Sequence, residues 1–279
     1  MSRHYAHFTR RVLRLRFPED PEDPWYSELQ DVSGGLDRPR YHVTRAVSGR
    51  AADIKPGDTI WLVGQLYTPW GERFPAALDA RIDVAAVTPR QGKPGFRYTA
   101  AETSQWLDLS DSTAALEALR CPNDNGPTRL WRDRDRPIGQ YLRQIRAIAN
   151  GDVLETWSAD QRNRALHFVS YRIQDGTRPA YARAHALFEE GHRVFWDRWS
   201  LPRRLAERRE AVGDEPLNAT IEGKIHDAAT VWGIETPLYD ATGSYAAHER
   251  HLAECLNKYQ GISACPLSRG GSVPLASDR

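Results

Sequence analysis

Hydrophobic and polar positions change their period partway along the chain. Arg11-Val-Leu-Arg-Leu-Arg-Phe17 alternates with period two, the pattern of a half-buried strand. Residues 40–44, 59–63, 65–67, 80–87, 96–98 and 106–109 are further short strand candidates. Between them, residues 18–24 form an acidic, proline-rich loop, and Ile54-Lys-Pro-Gly-Asp58 carries turn chemistry. Residues 113–120 read as a short helix. Many short strands joined by Gly/Pro turns predict a β-barrel or sandwich over residues 1–120. Residues 121–163 then read as a linker and a bridging helix. Pro137 leads that helix, Ile138, Tyr141, Leu142, Ile145 and Ile148 line one side, and Asn150-Gly151 closes it.

From residue 164 the pattern becomes strand–helix–strand. Ala165-Leu-His-Phe-Val-Ser-Tyr-Arg172 is an apolar run followed by polar Gln174-Asp175-Gly176, a buried strand and then a loop. Pro179 suits the first turn of a helix, with Ala180, Ala184, Leu187 and Phe188 on one face. Gly191 stops it, and His192-Arg-Val-Phe-Trp-Asp197 is a second strand, giving the βαβ signature of a parallel sheet. Leu217, Ile221, Ile225 and Ala228 keep helical spacing, with Asn218 as cap. Residues 230–236 form a third strand, ended by Pro237. A last helix sets Glu249, Leu252, Ala253 and Leu256 at i, i+3, i+4 and i+7, so Glu249 falls on the buried stripe. That places a carboxylate near the carboxyl end of the third strand, where ligands of open parallel sheets bind.

Four fragments of this region, Phe168-Val-Ser-Tyr-Arg172, Gly191-His-Arg-Val-Phe-Trp-Asp197, Glu235-Thr-Pro-Leu-Tyr239 and Ser244-Tyr245-Ala-Ala-His-Glu249, together resemble a TIR domain. They match, in order, its first strand, its second strand, the segment after its third strand and the start of its carboxylate-bearing helix. Tyr245 stands in the aromatic slot where the family carries tryptophan. The resemblance implies a flavodoxin-like α/β fold for residues 164–279. It also implies cleavage of NAD, as substrate and not cofactor, at the bond between nicotinamide and ribose. On this likeness Glu249 is the catalytic carboxylate. Ser170, Tyr171, Arg172, Trp196, Asp197, Trp199 and Tyr245 line the NAD site. Arg172 is suited to phosphate or ribose, and Trp196 and Trp199 to an aromatic face for adenine or nicotinamide. Without the likeness, Glu249 reads as a carboxylate favoured by the helix dipole, Arg172 as a salt-bridge former and Trp196 as core. The family normally continues with two more strand–helix segments, whereas here only residues 261–265 offer another strand before a Gly/Ser/Pro-rich tail. The expected whole is therefore α+β: an N-terminal β-rich, barrel-like domain for sensing or docking, then a TIR-like domain with a shortened sheet. The Ile54-Lys-Pro-Gly-Asp58 turn and its following strands also resemble PUA-like barrels of the EVE or ASCH kind.

Composition narrows the alternatives. The 38 basic and 37 acidic residues leave a net charge of +1, so no global pull toward nucleic acid or membrane exists. No run of 18 apolar residues suggests a membrane span, and no apolar core follows Met1, so a cytoplasmic protein is expected. Three cysteines show neither disulfide nor zinc spacing. There is no G-x-G-x-x-G, P-loop or H-E-x-x-H, and no metal is expected. The arginines at 198, 203, 204, 208 and 209 suit either a pyrophosphate or a solvated helix face. Three readings follow. The first is an NAD-consuming effector, activated by self-association or an unknown trigger, as in prokaryotic antiphage defence. The second is a non-enzymatic TIR adaptor. The third is a nucleic-acid module using Arg10, Arg11, Arg14 and Arg16 with Trp61, Tyr67 and Trp70 as stacking platforms.

Overall fold

The computed structural model describes residues 2–12, 32–34, 37–201, 214–241 and 244–263. In its first part the strands are β1 (His4–Val12), β2 (Val32–Gly34), β3 (Pro39–Thr44), β4 (Thr59–Tyr67), β5 (Ala77–Pro89), β6 (Phe96–Ala100) and β7 (Gln105–Trp106). The one-turn helix α1 (Arg50–Asp53) precedes β4, and α2 (Thr113–Ala118) follows β7. Next come β8 (Arg120–Cys121), β9 (Thr128–Arg129), α3 (Ile138–Tyr141), β10 (Arg146–Ile148) and α4 (Asp152–Arg162). The last part alternates: β11 (Leu166–Tyr171), α5 (Ile173–Glu189), β12 (Arg193–Phe195), α6 (Asp197–Ser200), α7 (Asp214–Asp227), β13 (Thr230–Glu235), α8 (Tyr245–Cys255) and β14 (Tyr259–Ser263).

The larger sheet follows the order β10-β1-β4-β5-β6-β3-β2, with β7 added on β5. β1 and β4 are parallel and the other pairs antiparallel. β5 pairs β4 through Asp83 and changes partner to β6 from Val84, across a register shift between Val84 and Ala86. Such irregularities bend a sheet. Among the described residues the strand path stays open, so the expected barrel is instead a bent open sheet. Both faces of β4 are covered. Ile60 and Leu62 pack with Ile82 and Tyr98 on one side, and Trp61 and Val63 with Leu116, Ile138 and Leu154 on the other.

That second layer corrects the expected linker and bridging helix. Residues 138–148 keep helical spacing, yet the helix stops after Tyr141 and β10 pairs antiparallel with β1. Tertiary pairing with an otherwise open strand edge outweighs the local period. Gly151 begins a helix, α4, and its missing side chain is needed there. A Cβ would sit 2.2 Å from His4 Cδ2.

The smaller sheet is wholly parallel, in the order β12-β11-β13-β14. β14 is the strand expected near residues 261–265. α5 covers one face through Ala180, Ala184, Leu187 and Phe188, and shares that core with Leu66, Phe74, Ala77 and Leu109. α7 and α8 cover the other face through Leu217, Ile221, Ile225 and Ala253. The β-rich part also meets the free side of β12. Leu109 N–H donates to Val194 O at 3.0 Å, and Val194 N–H to Leu109 O at 2.7 Å. Beside them, Asp108 accepts from Arg193 at 2.7 Å and from Lys224 at 3.3 Å.

Two helix starts differ from expectation. α5 begins at Ile173, so Pro179 lies inside it and supplies no N–H to the turn before. Asn218 is within α7 and does not cap it. The strand expected over residues 11–17 starts earlier, at His4. Its later residues lie outside the described residues, as do the 18–24 loop, Arg14, Arg16, the arginines at 203–209 and the tail beyond residue 263.

Candidate functional site

β11 and β13 lie side by side with Ser170 paired to Gly233, so both strands deliver their carboxyl ends to one place. α8 starts there, and its buried stripe brings Glu249 inward, 8% exposed. The Ser170 hydroxyl donates to Glu249 Oε2 at 2.5 Å. Behind it, Ser170 Oγ and the Tyr239 hydroxyl are 2.8 Å apart, and both residues are 1% exposed. Burial pushes the Glu249 carboxyl up to about 8. The Ser170 hydrogen bond opposes the rise, and the charge of Asp197 adds to it. Glu249 is thus a carboxylic acid near neutrality. Burial likewise raises the Tyr239 phenol, which stays protonated.

A second cluster lies beside the first. Tyr171 donates to Asp197 Oδ1 at 2.6 Å and accepts from Arg198 Nε at 2.8 Å. Arg198 is fully buried on α6, so its part in a solvated arginine face is corrected. The Arg11–Asp79 ion pair, with both side chains 1% exposed, anchors this cluster to the β-rich part. Arg11 also donates to the Trp199 carbonyl and lies over the Trp199 ring. Gly64 lets that ring approach β4, since a Cβ there would lie 3.2 Å from Trp199 Cη2.

The expected site residues separate into two groups. Glu249, Ser170, Tyr171 and Asp197 come together. Trp196 and Trp199 are 0% and 1% exposed, packed around Phe74 with Tyr181 and Phe188, so neither presents an open aromatic face. They are core because the β-rich part covers that side of α6. Arg172 occupies the N-cap position of α5 without a side-chain capping bond and donates from Nε to Gln174 Oε1 at 3.1 Å. Tyr245 opens α8, and its hydroxyl reaches the Asn218 carbonyl at 3.4 Å. His248, just before Glu249, faces outward to Glu222 at 2.9 Å.

Several contributors escaped the sequence reading. Tyr239 stands in the Thr236-Pro-Leu-Tyr239 segment, which the sequence marks only through its resemblance to a TIR domain. Asp175 fastens that segment by accepting from Thr236 Oγ1 at 2.7 Å and Leu238 N–H at 3.0 Å. Of the residues suggested for base stacking, Trp61 is fully buried, Trp70 packs edge-on against Tyr181, and Tyr67 is covered by Arg10. Arg11 is buried and leaves no basic strand edge at its position. Among the described residues no group of three His, Cys, Asp or Glu is arranged to hold a metal, and no helix is long and apolar enough to cross a membrane. Compared with known proteins, the chain matches no family model, no curated protein and no solved structure.

Proposed function

We propose that this chain is a TIR-like enzyme that cleaves NAD between nicotinamide and ribose, with Glu249 as its catalytic carboxylate. The observation that carries the reading is the buried Glu249 carboxyl, held by Ser170 at the carboxyl ends of two parallel strands. Nicotinamide in NAD is a cationic leaving group, so its departure needs no acid. What the departing bond leaves behind is an oxocarbenium-like ribose, and a carboxylate facing it stabilises that charge, as in glycoside hydrolysis. A low-dielectric setting strengthens the attraction. The cationic ring also favours the ionised form of Glu249, so the acid loses its proton as substrate enters. Ser170 then donates to the carboxylate and fixes its orientation. Arg172, at the N-terminus of α5, suits the pyrophosphate. Water capture of the ribosyl cation gives ADP-ribose, neutral nicotinamide and one proton.

The β-rich part would set when this happens, because the Arg11 link reaches the segment that carries Asp197. Activation by self-association or by a trigger acting through that part fits a defence or signalling effector. The test is nicotinamide release from NAD by concentrated protein with a crowding agent, beside Glu249→Gln. Release by the wild type and its loss in the variant are expected. Equal release by both would move the chemistry away from Glu249, and absence from both would favour an adaptor.

A further inference from the structure

We propose that Ser170, Tyr239, Tyr259 and Glu235 form a proton conduit between buried Glu249 and solvent. Its use in catalysis rests on the reading of Glu249 above, whereas its existence rests on the contacts between these groups and one bridging water. Glu249 Oε2 meets Ser170 Oγ at 2.5 Å, and Ser170 Oγ meets the Tyr239 hydroxyl at 2.8 Å. The Tyr259 hydroxyl lies against Gly233, the register partner of Ser170, and in the conduit one water joins it to the Tyr239 hydroxyl. Tyr259 then contacts Glu235 Oε1 at 2.9 Å. The inner groups are sealed, while the Glu235 side chain is 33% exposed. The chain therefore leads from the interior to the surface across β11, β13 and β14.

Two glycines make room for it. Gly233 and Gly261 face each other in register on β13 and β14. A Cβ on Gly233 would lie 2.2 Å from the Tyr259 hydroxyl, and one on Gly261 would lie 2.4 Å from Glu235 Oε1. Glycine weakens a strand interior and marks close approach of another group. Here the groups approaching are the two outer members of the conduit.

Each member both donates and accepts a hydrogen bond, so two arrangements satisfy the same contacts. In one, Glu249 is protonated and every hydroxyl points outward, with Tyr259 donating to ionised Glu235. In the other, every hydroxyl points inward, Ser170 donating to ionised Glu249, and Glu235 carries the proton. Passing from the first to the second breaks five O–H bonds and makes five. The Glu249 proton goes to Ser170, that of Ser170 to Tyr239, that of Tyr239 to the bridging water, one of the water's to Tyr259, and that of Tyr259 to Glu235. Glu235 gives its proton to water, and no electrons change hands. The titratable neighbours at the inner end are Asp197 and the neutral phenols of Tyr239 and Tyr245. At the outer end Arg250 sits 3.6 Å from Glu235 and over the Tyr259 ring, itself held by Asp240 and Glu254. NAD hydrolysis liberates one proton per turnover, and this chain gives it an exit that leaves the substrate side closed.

The experiment follows the carbonyl stretch of a protonated carboxylic acid by infrared spectroscopy after a jump from below to above pH 8 in the ligand-free protein. The wild-type band should vanish, and Glu249→Gln should lack it. Tyr259→Phe and Glu235→Gln should slow its loss on the order of tenfold or more while leaving its midpoint in place. Glu235→Gln changes a surface group and guards against a folding defect in Tyr259→Phe. Unchanged rates in both variants would overturn the conduit, as would a band that survives in Glu249→Gln. Nicotinamide release from the same preparations reads the enzymatic proposal separately. Its absence with slowed proton loss in the variants would sink the NAD reading and leave the conduit standing.

Discussion

Replacing Glu249 with glutamine should change how stability depends on pH, with no substrate involved. The folded-state carboxyl sits at about 8, against 4.5 for the ordinary carboxyl. Between those values the folded chain keeps a proton that the unfolded chain has lost. Stability therefore falls as pH rises through this window, by ~1.4 kcal/mol per pH unit, and the full loss is present once pH exceeds the folded value. Over the whole window the sum is about 5 kcal/mol as an upper bound, because water entry and local relaxation soften the burial of the charge. Glutamine cannot ionise and keeps the shape. Urea or thermal unfolding of wild type and Glu249→Gln in steps from pH 5 to 9 isolates the effect, since other titrating groups cancel in the difference. The variant should gain on the wild type by ~1.4 kcal/mol per unit up to pH 8, or about 2 °C in Tm for each kcal/mol, and run parallel above it. Parallel curves below pH 8 would refute the argument, and so would a wild type that gains on the variant.

Other consequences can be checked singly. Arg11→Met removes the cation that faces buried Asp79 and should cost about 3–5 kcal/mol in a denaturant melt, whereas a surface ion pair such as Arg50–Asp53 should cost under about 1 kcal/mol. Tyr171→Phe removes the hydroxyl shared by Asp197 and Arg198, and a loss of about 1–3 kcal/mol is expected from unfolding curves. Gly233→Ala drives a methyl into Tyr259, so Tyr259 should move away from Glu235, visible as a shifted tyrosine signal in near-ultraviolet circular dichroism.

The sequence made the parallel core legible where chemistry is local. The apolar runs around residues 166–171 and 230–235 can be little else than buried strands, and the i, i+3, i+4, i+7 stripe by itself turns Glu249 inward. What stayed hidden is non-local. Ser170 meets Glu249 across 79 positions and Tyr239 across 69, and no spacing rule joins them. Trp196 and Trp199 looked like ligand platforms because the covering Phe74 comes from a different part of the chain. The stretch around Ile145 and Ile148 fits a helical period as well as a strand, and only the open edge of β1 decides between them. The pairing of Tyr259 with Glu235 is equally hidden, because it depends on the two glycines opposite them.

The most direct test of the central claim is the pH profile of kcat/KM for nicotinamide release, which reports the ionisation of the free enzyme. If the carboxylate of Glu249 is the working form, the wild-type profile should climb about tenfold per unit below pH 8 and level off above it, with Glu249→Gln inactive throughout. A flat wild-type profile, or one that Glu249→Gln reproduces, would contradict it.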